Sequence, residues 1–455
     1  MEKYDAVIIG FGKGGKTLAG YLAGKGERVA MIEKSDRMYG GTCINVGCIP
    51  TKSLVDSAER AKIQAFATFE QKAGFYQQAI ERKRALVSML RNKNYHMLAD
   101  QENITVYHGL GSFVDAHEIQ IAGDAGTEHI YGERIFINTG SKPVVPPIPG
   151  AKESSRAYLS ESIMELEQLP ERLVIIGGGY IGLEYASFYS MFGTKVTVLQ
   201  NTADFIPRED REVAAAVQAG MERQGVTFVF QADVKRIVDE VRQSYVEYHH
   251  GADDIRLPAD AILIATGRSP DTQSLNLAAA QVEVLPRGGI RTDAERRTSQ
   301  PHIWAMGDAA GGLQFTYVSL DDFRVVKSSL ESGTYRDLGR NIPYSVFLEP
   351  ALSRVGLTET EAREQGYDVL AASLPAAAIP KAHVLQKPQG LLKAVVDKSS
   401  GQILGATLYC ADSYEMINLI KLAMDAKLPY TVLRDQIFTH PTMSESLNDL
   451  FGKLK

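Results

Sequence analysis

Apolar and polar positions at the start of the chain predict a strand, a glycine-rich turn, a helix and a second strand. Residues 4–10 (YDAVIIG) form a short apolar run rich in β-branched side chains, which is typical of a buried strand. Residues 11–26 (FGKGGKTLAGYLAGKG) favour a turn that opens a helix, and residues 28–34 (RVAMIEK) favour another strand, which reaches Glu33. The first 35 residues therefore predict one βαβ unit.

The same pattern returns at residues 172–200 (RLVIIGGGYIGLEYASFYSMFGTKVTVLQ). The second strands of the two copies reach Glu33 and Gln200, each 23 positions after the first glycine of its copy. Three glycines correspond in the two copies: Gly10, Gly12 and Gly15 in the first, and Gly177, Gly179 and Gly182 in the second. This repeat predicts two nucleotide-binding domains in one chain.

The segments around the two copies predict the remaining organisation. Residues 54–98 are rich in strong helix formers and favour helix, with the main break expected at Gly74. Four prolines between residues 143 and 149 predict a stiff extended linker. Residues 261–272 and 303–312 contain buried strands that end in Thr-Gly and Gly-Asp, and from about residue 340 the pattern favours a separate α+β domain.

Composition narrows the class of protein. A chain of 455 residues is too long for a single hydrophobic core, which predicts two or three domains. Its net charge of -6 gives no sign of a nucleic-acid-binding surface. The N-terminus lacks a secretory signal pattern, and no apolar run approaches the roughly 18 residues needed to span a membrane. Three cysteines do not make a secreted disulfide framework. We expect a cytoplasmic protein without a membrane or nucleic-acid partner.

The glycine-rich turns have a chemical function because each follows a strand and opens a helix. Glycines let the backbone approach a pyrophosphate, and the helix N-terminus supplies N–H donors. Glu33, at the end of its strand, can accept hydrogen bonds from ribose hydroxyls. Two such sites predict two dinucleotides, most simply a bound flavin and a diffusing nicotinamide.

The segment GGTCINVGCIPTK (residues 40–52) places Cys43 and Cys48 five positions apart. Residues five apart in a regular helix lie too far apart for a disulfide, so we expect the pair in a distorted first turn of a helix, with Lys52 on the same face as Cys48. A helix N-terminus and a lysine favour a reactive thiolate. Metal binding is the rival interpretation, but no second ligand cluster accompanies the pair, and Cys410 is expected to be buried and inert.

Near the C-terminus, His440 and Glu445 are five residues apart around a proline in THPTMSE. A histidine held by a carboxylate is suited to move protons for thiol chemistry near neutral pH. A structural role for this His-Pro pair is the alternative from the local sequence.

These motifs together resemble the FAD-dependent pyridine nucleotide–disulfide oxidoreductases over nearly the whole chain. The matching elements occur in the family's order: GFGKGG, GGTCINVGCIPTK, INTG, GGGYIGLE, ATGR, AMGD and HPTMSE. The resemblance implies an α/β fold of the glutathione reductase type, with two Rossmann-like domains and a C-terminal α+β dimerisation domain. It divides the chain into an FAD domain (1–147 and 268–338), an NAD(P) domain (148–267) and a dimerisation domain (339–455). It also implies a homodimer in which His440 completes the partner's site.

The resemblance assigns a role to each candidate residue. Cys48 is implied as the flavin-facing thiolate and Cys43 as the exposed interchange thiol. Lys52 and Glu184 are implied as a pair near the flavin, and Tyr180 as a gate over the flavin that moves when nicotinamide enters. The catalytic set is Cys43, Cys48, Lys52, Glu184, His440 and Glu445. The FAD set is Gly10, Gly12, Gly15, Glu33, Gly41, Thr42, Lys52, Thr139, Gly140 and Asp308, and the NAD(P) set is Gly177, Gly179, Tyr180, Gly182, Gln200 and Gly267. No resident metal is implied.

Within the family the chain looks most similar to a bacterial reactive-chlorine-resistance branch, on the phrases LQFTYVSLDDFRVV, FIPREDRE and LRDQIFTHPTMSESLNDLF. That resemblance implies NAD(P)H-dependent reduction of a small oxidant, hypothiocyanous acid foremost. Copper(II) reduction, small-disulfide reduction and a thiol redox sensor are the alternatives. Gln200 is neither the acid that favours NADH nor part of an arginine pair for NADPH, so the preferred nucleotide stays open.

Overall fold

The computed structural model describes residues 1–64, 66–124, 126–337 and 339–454. The first copy of the repeat folds into a sheet with the strand order β3-β2-β1-β6-β5-β4, in which β1, β2, β3 and β6 run parallel. Its elements are β1 (Glu2–Ile9), α1 (Lys13–Gly24), β2 (Val29–Glu33), α2 (Gly41–Asn45), α3 (Cys48–Ile63), α4 (Phe69–Ala99), β3 (Ile104–His108), β4 (Leu110–Phe113), β5 (Glu118–Gly123), β6 (Gly126–Ile137) and β7 (Ser141–Pro143).

The second copy folds into a five-stranded parallel sheet with the order β11-β10-β9-β15-β8, beside an antiparallel sheet β12-β13-β14. Its elements are β8 (Ala157–Leu159), β9 (Arg172–Ile176), α5 (Tyr180–Phe192), β10 (Lys195–Leu199), α6 (Arg211–Arg223), β11 (Thr227–Val229), β12 (Asp233–Asp239), β13 (Ser244–His250), β14 (Asp253–Ala259) and β15 (Ala261–Ile264). In both copies the first strand lies inside the sheet with the helix opening directly after it, which brings the glycine turn to the carboxyl edge.

Residues after the second sheet return to the first. β16 (Arg268–Pro270) pairs with β7, and β17 (Ile303–Ala305) joins the first sheet beside β6, followed by a short 3-10 helix (Gly307–Ala310) and α7 (Thr316–Leu330). The chain therefore leaves the first sheet at the proline-rich segment and re-enters it. The boundaries at 147/148, 267/268 and 338/339 stay predictions, and residue 338 lies outside the described residues, as does residue 455.

The C-terminal part forms a five-stranded antiparallel sheet with the order β18-β19-β22-β21-β20 and its own buried cluster. Its elements are β18 (Tyr344–Val346), β19 (Leu352–Gly356), α8 (Glu359–Glu364), β20 (Val369–Pro375), α9 (Pro380–Val384), β21 (Leu391–Asp397), β22 (Ile403–Tyr409), α10 (Ser413–Asp425), α11 (Thr431–Asp435) and α12 (Ser446–Gly452). Cys410, directly after β22, has no exposed surface, and burial raises the pKa of its thiol.

The predicted break at Gly74 is wrong. Gly74 lies inside α4, which is continuous from Phe69 to Ala99, and the interruption comes earlier, between Ile63 and Phe69. A glycine inside an exposed helix costs about 1 kcal/mol, which a helix of 31 residues tolerates. Thr68 instead fixes the start of α4, because its hydroxyl accepts a hydrogen bond from the backbone N–H of Gln71. Of the helices within the described ranges, none has the length and apolar character to cross a membrane.

Candidate functional site

The two cysteines lie on two consecutive short helices, not in one distorted turn as the spacing predicts. Cys43 is inside α2, and Cys48 is the first residue of α3. Val46 and Gly47 separate the helices, and the Val46 N–H donates to the carbonyl of Thr42 at 2.9 Å. Gly47 adopts φ −130° and ψ −115°, which ends the first helix and starts the second. Residues 46 and 47 therefore turn the chain so that the two thiols can face each other.

The protonation states of the pair are asymmetric. The pKa of Cys48 is lowered to about 6, first by a hydrogen bond from the Cys43 thiol and then by the Thr316 hydroxyl, 3.6 Å from its sulfur, and by the Lys52 ammonium. The pKa of Cys43 is raised well above its ordinary value, because it donates to Cys48 and is desolvated. These contacts therefore favour the thiolate at Cys48 over that at Cys43. Within this single chain Cys48 is the more exposed of the two and Cys43 is half-buried, which differs from the exposed Cys43 that the resemblance implies.

Lys52 and Glu184 meet although they are 132 residues apart. The Lys52 ammonium lies 2.9 and 3.0 Å from the two carboxylate oxygens of Glu184, one turn into α5. The backbone N–H of Phe347 donates to the same carboxylate at 2.9 Å, and the Lys52 Nζ lies 4.5 Å from the centre of the Phe347 ring. Three segments of the chain thus hold one positive charge beside the cysteine helix.

The first glycine turn forms a cradle against the INTG segment. A Cβ at Gly10 would lie 2.4 Å from the Asn138 carbonyl oxygen, and a Cβ at Gly12 would lie 2.3 Å from the Asn138 Oδ1. The same Oδ1 accepts from the Gly15 N–H at 2.9 Å. A Cβ at Gly41 would lie 2.9 Å from the Gly12 Cα, so the cysteine segment packs directly on the glycine turn. Three predicted FAD-binding motifs therefore converge at one edge of the sheet.

Polar groups inside this cradle fit a bound dinucleotide. The Thr139 Oγ1 is buried and has no hydrogen-bond partner among the described residues, which is the condition of a group that binds a ligand. Thr42 Oγ1 lies 3.9 Å from where a Cβ of Gly140 would be. Burial raises the pKa of Asp308, whose carboxylate accepts from the Ser141 hydroxyl at 2.6 Å. These groups line up along the carboxyl edge of the first sheet, as the resemblance implies.

Glu33 lies at the end of β2 and is buried. Its carboxylate accepts from the backbone N–H groups of Phe11 at 3.1 Å and Ser35 at 3.2 Å. Burial raises its pKa, and these two hydrogen bonds oppose the rise. The carboxylate is therefore oriented by the glycine turn, with further acceptor sites on both oxygens for ribose hydroxyls.

The second glycine turn is built in the same way. Cβ atoms at Gly177 and Gly182 would lie 2.5 Å from the Ala265 carbonyl oxygen and 2.2 Å from the Gly177 carbonyl oxygen, so both glycines allow close packing of strand and helix. Cβ atoms at Gly179 and Gly267 would meet nothing within 4 Å, which leaves backbone open to a ligand. Glycine thus serves packing at two positions and ligand approach at two others.

Gln200 is hydrogen-bonded to the second glycine turn. Its Oε1 accepts from the Gly178 N–H at 2.8 Å, and its Nε2 donates to the Thr202 hydroxyl at 2.6 Å. Its side chain is therefore a structural brace of the turn as well as the residue at the end of β10. This geometry leaves the choice between NADH and NADPH where the sequence leaves it.

Tyr180, the first residue of α5, belongs to a small buried network. Its hydroxyl donates to Glu209 and lies 3.2 Å from the Tyr344 hydroxyl, and the two rings are 5.5 Å apart. Tyr344 also donates to Glu209. Desolvation and the neighbouring carboxylate raise the pKa of both tyrosines, so both are neutral donors.

His440 and Glu445 meet as the spacing predicts. The His440 Nδ1 lies 2.8 Å from the Glu445 Oε2, and the second oxygen of Glu445 accepts from the Thr442 N–H at 3.1 Å. The hydrogen bond from His440 lowers the pKa of Glu445. The histidine side chain is 72% exposed on this protomer, so its imidazole is available to a second chain.

Four residues of this region do not stand out in the sequence as functional: Asn138, Thr316, Glu209 and Tyr344. Asn138 occurs within INTG, and Thr316 within LQFTYVSLDD, so their motifs point to the region but not to the residue. Glu209 and Tyr344 come together only through the tertiary fold.

Comparison with known proteins agrees with this geometry. The family described as pyridine nucleotide-disulphide oxidoreductase matches residues 4–322, and the dimerisation domain of the same family matches residues 342–451. The chain is a pyridine nucleotide-disulphide oxidoreductase. As a member of this family it is an FAD-dependent oxidoreductase that uses NAD(P)H, with a C-terminal dimerisation domain.

The relatives of this oxidoreductase include proteins with several substrates. It is 50% identical to the probable pyridine nucleotide-disulfide oxidoreductase RclA of Escherichia coli K12, with all of both chains covered. It is 33% identical to a dihydrolipoyl dehydrogenase of Mycobacterium tuberculosis, over 100% of this chain and 98% of the relative. A solved structure described as the Cu(II) complex of HOCl-induced flavoprotein disulfide reductase RclA from E. coli superimposes with a TM-score of 0.94, at 50% identity and complete coverage of both chains.

Proposed function

We propose that this oxidoreductase reduces hypothiocyanous acid to thiocyanate at the Cys43–Cys48 pair, as a defence against reactive chlorine species. The observation that carries the proposal is the geometry of the pair: Cys43 and Cys48 lie within hydrogen-bond reach of each other, with the Thr316 hydroxyl 3.6 Å from the Cys48 sulfur and Lys52 one turn further along α3. A full-length relative described as an HOCl-induced flavoprotein disulfide reductase supports the physiological setting.

The residues of the cradle hold the cofactors in this proposal. Gly10, Gly12, Gly15, Thr139 and Asp308 bind FAD, together with Glu33, Gly41, Thr42 and Gly140, and the second glycine turn with Tyr180, Gln200 and Gly267 binds NAD(P)H. FAD, when bound, accepts a hydride from NAD(P)H and passes an electron pair to the disulfide. Lys52, held in place by its ion pair with Glu184, presents an ammonium near Cys48 that favours the Cys48 thiolate.

The oxidant reacts with the Cys43 sulfur of the reduced pair. His440 of the partner subunit takes the proton from the Cys43 thiol, the Cys43 sulfur attacks the sulfur of hypothiocyanous acid, and the same proton leaves with the displaced oxygen as water. Cys43 then carries a thiocyanate group through a sulfur–sulfur bond. The Cys48 thiolate attacks the Cys43 sulfur, which forms the disulfide and releases thiocyanate. Two thiol groups are oxidised, and one hypothiocyanous acid is reduced.

A homodimer is required for this proton transfer. The exposed His440 lies in the matched dimerisation domain, which also exposes large apolar side chains: Leu422 (65%), Leu428 (38%), Val432 (38%) and Ile437 (100%). Exposed apolar side chains of this kind are typical of a surface that a second subunit covers.

Copper(II) reduction is the second candidate, because the E. coli relative is described as a Cu(II) complex, and so is its C43S mutant. The two candidates make different demands on the cysteines. Reduction of hypothiocyanous acid requires Cys43 as the nucleophile, whereas electron transfer to a copper ion needs no covalent bond to this sulfur.

The test compares NAD(P)H oxidation by the purified holoenzyme with hypothiocyanous acid, copper(II), oxidised glutathione and lipoamide. We expect turnover with hypothiocyanous acid to exceed that with the other three, and Cys43→Ser to abolish it while FAD stays bound. Cys410→Ala is the matched control, since it removes a cysteine that is buried away from the pair. Wild-type rates with hypothiocyanous acid in Cys43→Ser would falsify the proposal.

A further inference from the structure

The segment FIPREDRE, which the family resemblance emphasises, contains a carboxylate that the proposed chemistry does not use. The Glu209 side chain has no exposed surface, and one of its oxygens, Oε1, accepts hydrogen bonds from the hydroxyls of both Tyr180 and Tyr344. The other oxygen, Oε2, lies 3.7 Å from the Arg354 guanidinium and has no hydrogen bond among the described residues. Burying a carboxylate is costly unless it is paired, and Arg354 supplies a positive charge beside Glu209.

Arg354 fixes this carboxylate from the C-terminal sheet. It lies on β19, is itself 7% exposed at its side chain, and donates to the carbonyl oxygens of Arg208 at 2.5 Å and Gly356 at 3.2 and 3.3 Å. The next residue of the segment, Asp210, lies 3.4 Å from the buried ammonium of Lys393 on β21. Two buried ion pairs therefore attach the segment to the C-terminal domain, and Glu209 has little freedom to move with Tyr180.

The aromatic rings connect this carboxylate to the surroundings of the cysteine pair. The Tyr344 ring stacks on Phe315 with 6.0 Å between centroids and an angle of 8°. Phe315 directly precedes Thr316, whose hydroxyl lies 3.6 Å from the Cys48 sulfur. Tyr180 directly follows the second glycine turn in sequence. On its other side lie the stacked rings of Tyr344 and Phe315, next to Thr316 and Cys48.

We propose that Glu209 is a positioning residue that holds Tyr180 closed across the nicotinamide site and thereby weakens nucleotide binding. The inference rests on the proposed function, in which Tyr180 belongs to the NAD(P)H site, and on the movement of Tyr180 that the family resemblance implies when nicotinamide enters. Nucleotide binding must then break the Tyr180–Glu209 hydrogen bond, and the apparent affinity falls by the fraction of molecules that are closed. Tyr344 donates to the same oxygen, Glu209 Oε1, but lies on β18 and not at the glycine turn. The two hydroxyls therefore compete for Glu209.

Two tyrosine-to-phenylalanine variants separate this inference from a purely structural role for the network. Tyr180→Phe removes the hydroxyl that holds the gate and keeps the ring, whereas Tyr344→Phe removes the competing hydroxyl from the same oxygen. We expect the dissociation constants of NADP⁺ and NAD⁺ to fall about fivefold in Tyr180→Phe, equivalent to ~1 kcal/mol. In Tyr344→Phe they are expected to stay within about twofold of wild type or to rise, because the bond to Tyr180 remains.

The measurement is titration of the oxidised holoenzyme with each nucleotide, followed by the flavin absorption spectrum. Quenching of flavin fluorescence by iodide supplies a second readout, with more quenching expected in Tyr180→Phe than in Tyr344→Phe. Equal changes in the two variants, or weaker binding in Tyr180→Phe, would overturn the inference. Glu209→Gln should lower the dissociation constants less than Tyr180→Phe, and adding it to Tyr180→Phe should change little, since the bond is already absent.

This experiment is independent of the oxidant. Binding of an oxidised nucleotide requires neither hypothiocyanous acid nor the Cys43 thiol, so a failed substrate test leaves the binding result interpretable. Conversely, equal affinities in the two variants would reject the role of Glu209 while the turnover test stands.

Discussion

The hydrogen bond between the two thiols can be tested by a matched pair of substitutions at Cys43. Cys43→Ala removes the donor to Cys48, and Cys43→Ser replaces it with a hydroxyl that donates in its place. Because the Cys43 thiol is the largest cause of the lowered pKa of Cys48, we expect the alanine variant to raise that pKa and the serine variant to preserve it.

The expected size follows from the strength of one hydrogen bond to a charged group, about 1.5 kcal/mol at the lower end of the usual range. The lower end applies because sulfur is a weaker hydrogen-bond acceptor than oxygen. This energy corresponds to a rise of about 1 in the pKa of Cys48. From a starting pKa of about 6, the thiolate fraction at pH 6 then falls from about one half to about one tenth, a roughly fivefold loss.

The assay is the rate of iodoacetamide alkylation of Cys48 against pH in the reduced protein, with the modified peptide quantified by mass spectrometry. Thr316→Val is an internal comparison, since its hydroxyl is a weaker cause at 3.6 Å and should produce a smaller rise. If Cys43→Ala leaves the alkylation midpoint where it is in wild type, the thiolate depends on Lys52 and the helix N-terminus, and the assigned cause is wrong.

The same pKa sets a pH dependence of stability. The folded-state pKa of Cys48, about 6, lies below the ordinary thiol value of about 8.5. An acid with a lowered folded-state pKa stabilises the fold fully above its unfolded pKa, and this contribution disappears as the pH falls through the folded pKa. The free energy of unfolding of the reduced protein should therefore rise between pH 6 and 8.5, and rise less in Cys43→Ala.

Three further outcomes concern the cofactor cradle, the proton carrier and the subunit interface. Gly12→Ala introduces a Cβ 2.3 Å from a side-chain oxygen and should yield protein without FAD, measured as the flavin-to-protein absorbance ratio, whereas Gly179→Ala, with nothing within 4 Å, should retain it. Glu445→Gln replaces a charged partner of His440 and should lower turnover with hypothiocyanous acid about tenfold without changing flavin reduction by NAD(P)H in stopped flow. Ile437→Glu places a charge on a wholly exposed apolar position and should convert a dimer to monomers in light scattering; a mass unchanged from wild type would remove this residue from the interface.

Much of the fold is predictable because its signals are local. The strand–glycine turn–helix pattern at residues 4–34 and its repeat at 172–200 depend on short-range hydrophobic order and on glycines, and in both copies the two strands of the pattern pair in parallel. Gly74 does not interrupt its helix, although its low helix propensity predicts a break there. The cost of one glycine is small compared with the stabilisation that α4 gains from packing its buried residues.

The candidate site is predictable as a set of motifs but not as a geometry. The spacing of Cys43 and Cys48 indicates a turn between them, yet the two-helix arrangement depends on the backbone at Gly47. The Lys52–Glu184 contact and the network around Glu209 join segments more than 100 positions apart, or residues on different sheets. Such contacts are set by the packing of whole domains, which leaves no local pattern in the sequence.

The FIPREDRE segment lies apart from the cysteine pair, between the nucleotide-binding and C-terminal parts of the chain. Two of its three acids, Glu209 and Asp210, pair with Arg354 and Lys393 in a joint between the nucleotide-binding and C-terminal domains, away from the cysteines. The Glu209 carboxylate accepts a hydrogen bond from Tyr180. It also accepts one from Tyr344, whose ring stacks on Phe315 near the cysteine pair. In this chain, substitutions at the joint are therefore expected to change nucleotide binding through Tyr180, while the thiol chemistry at Cys43 and Cys48 stays the same.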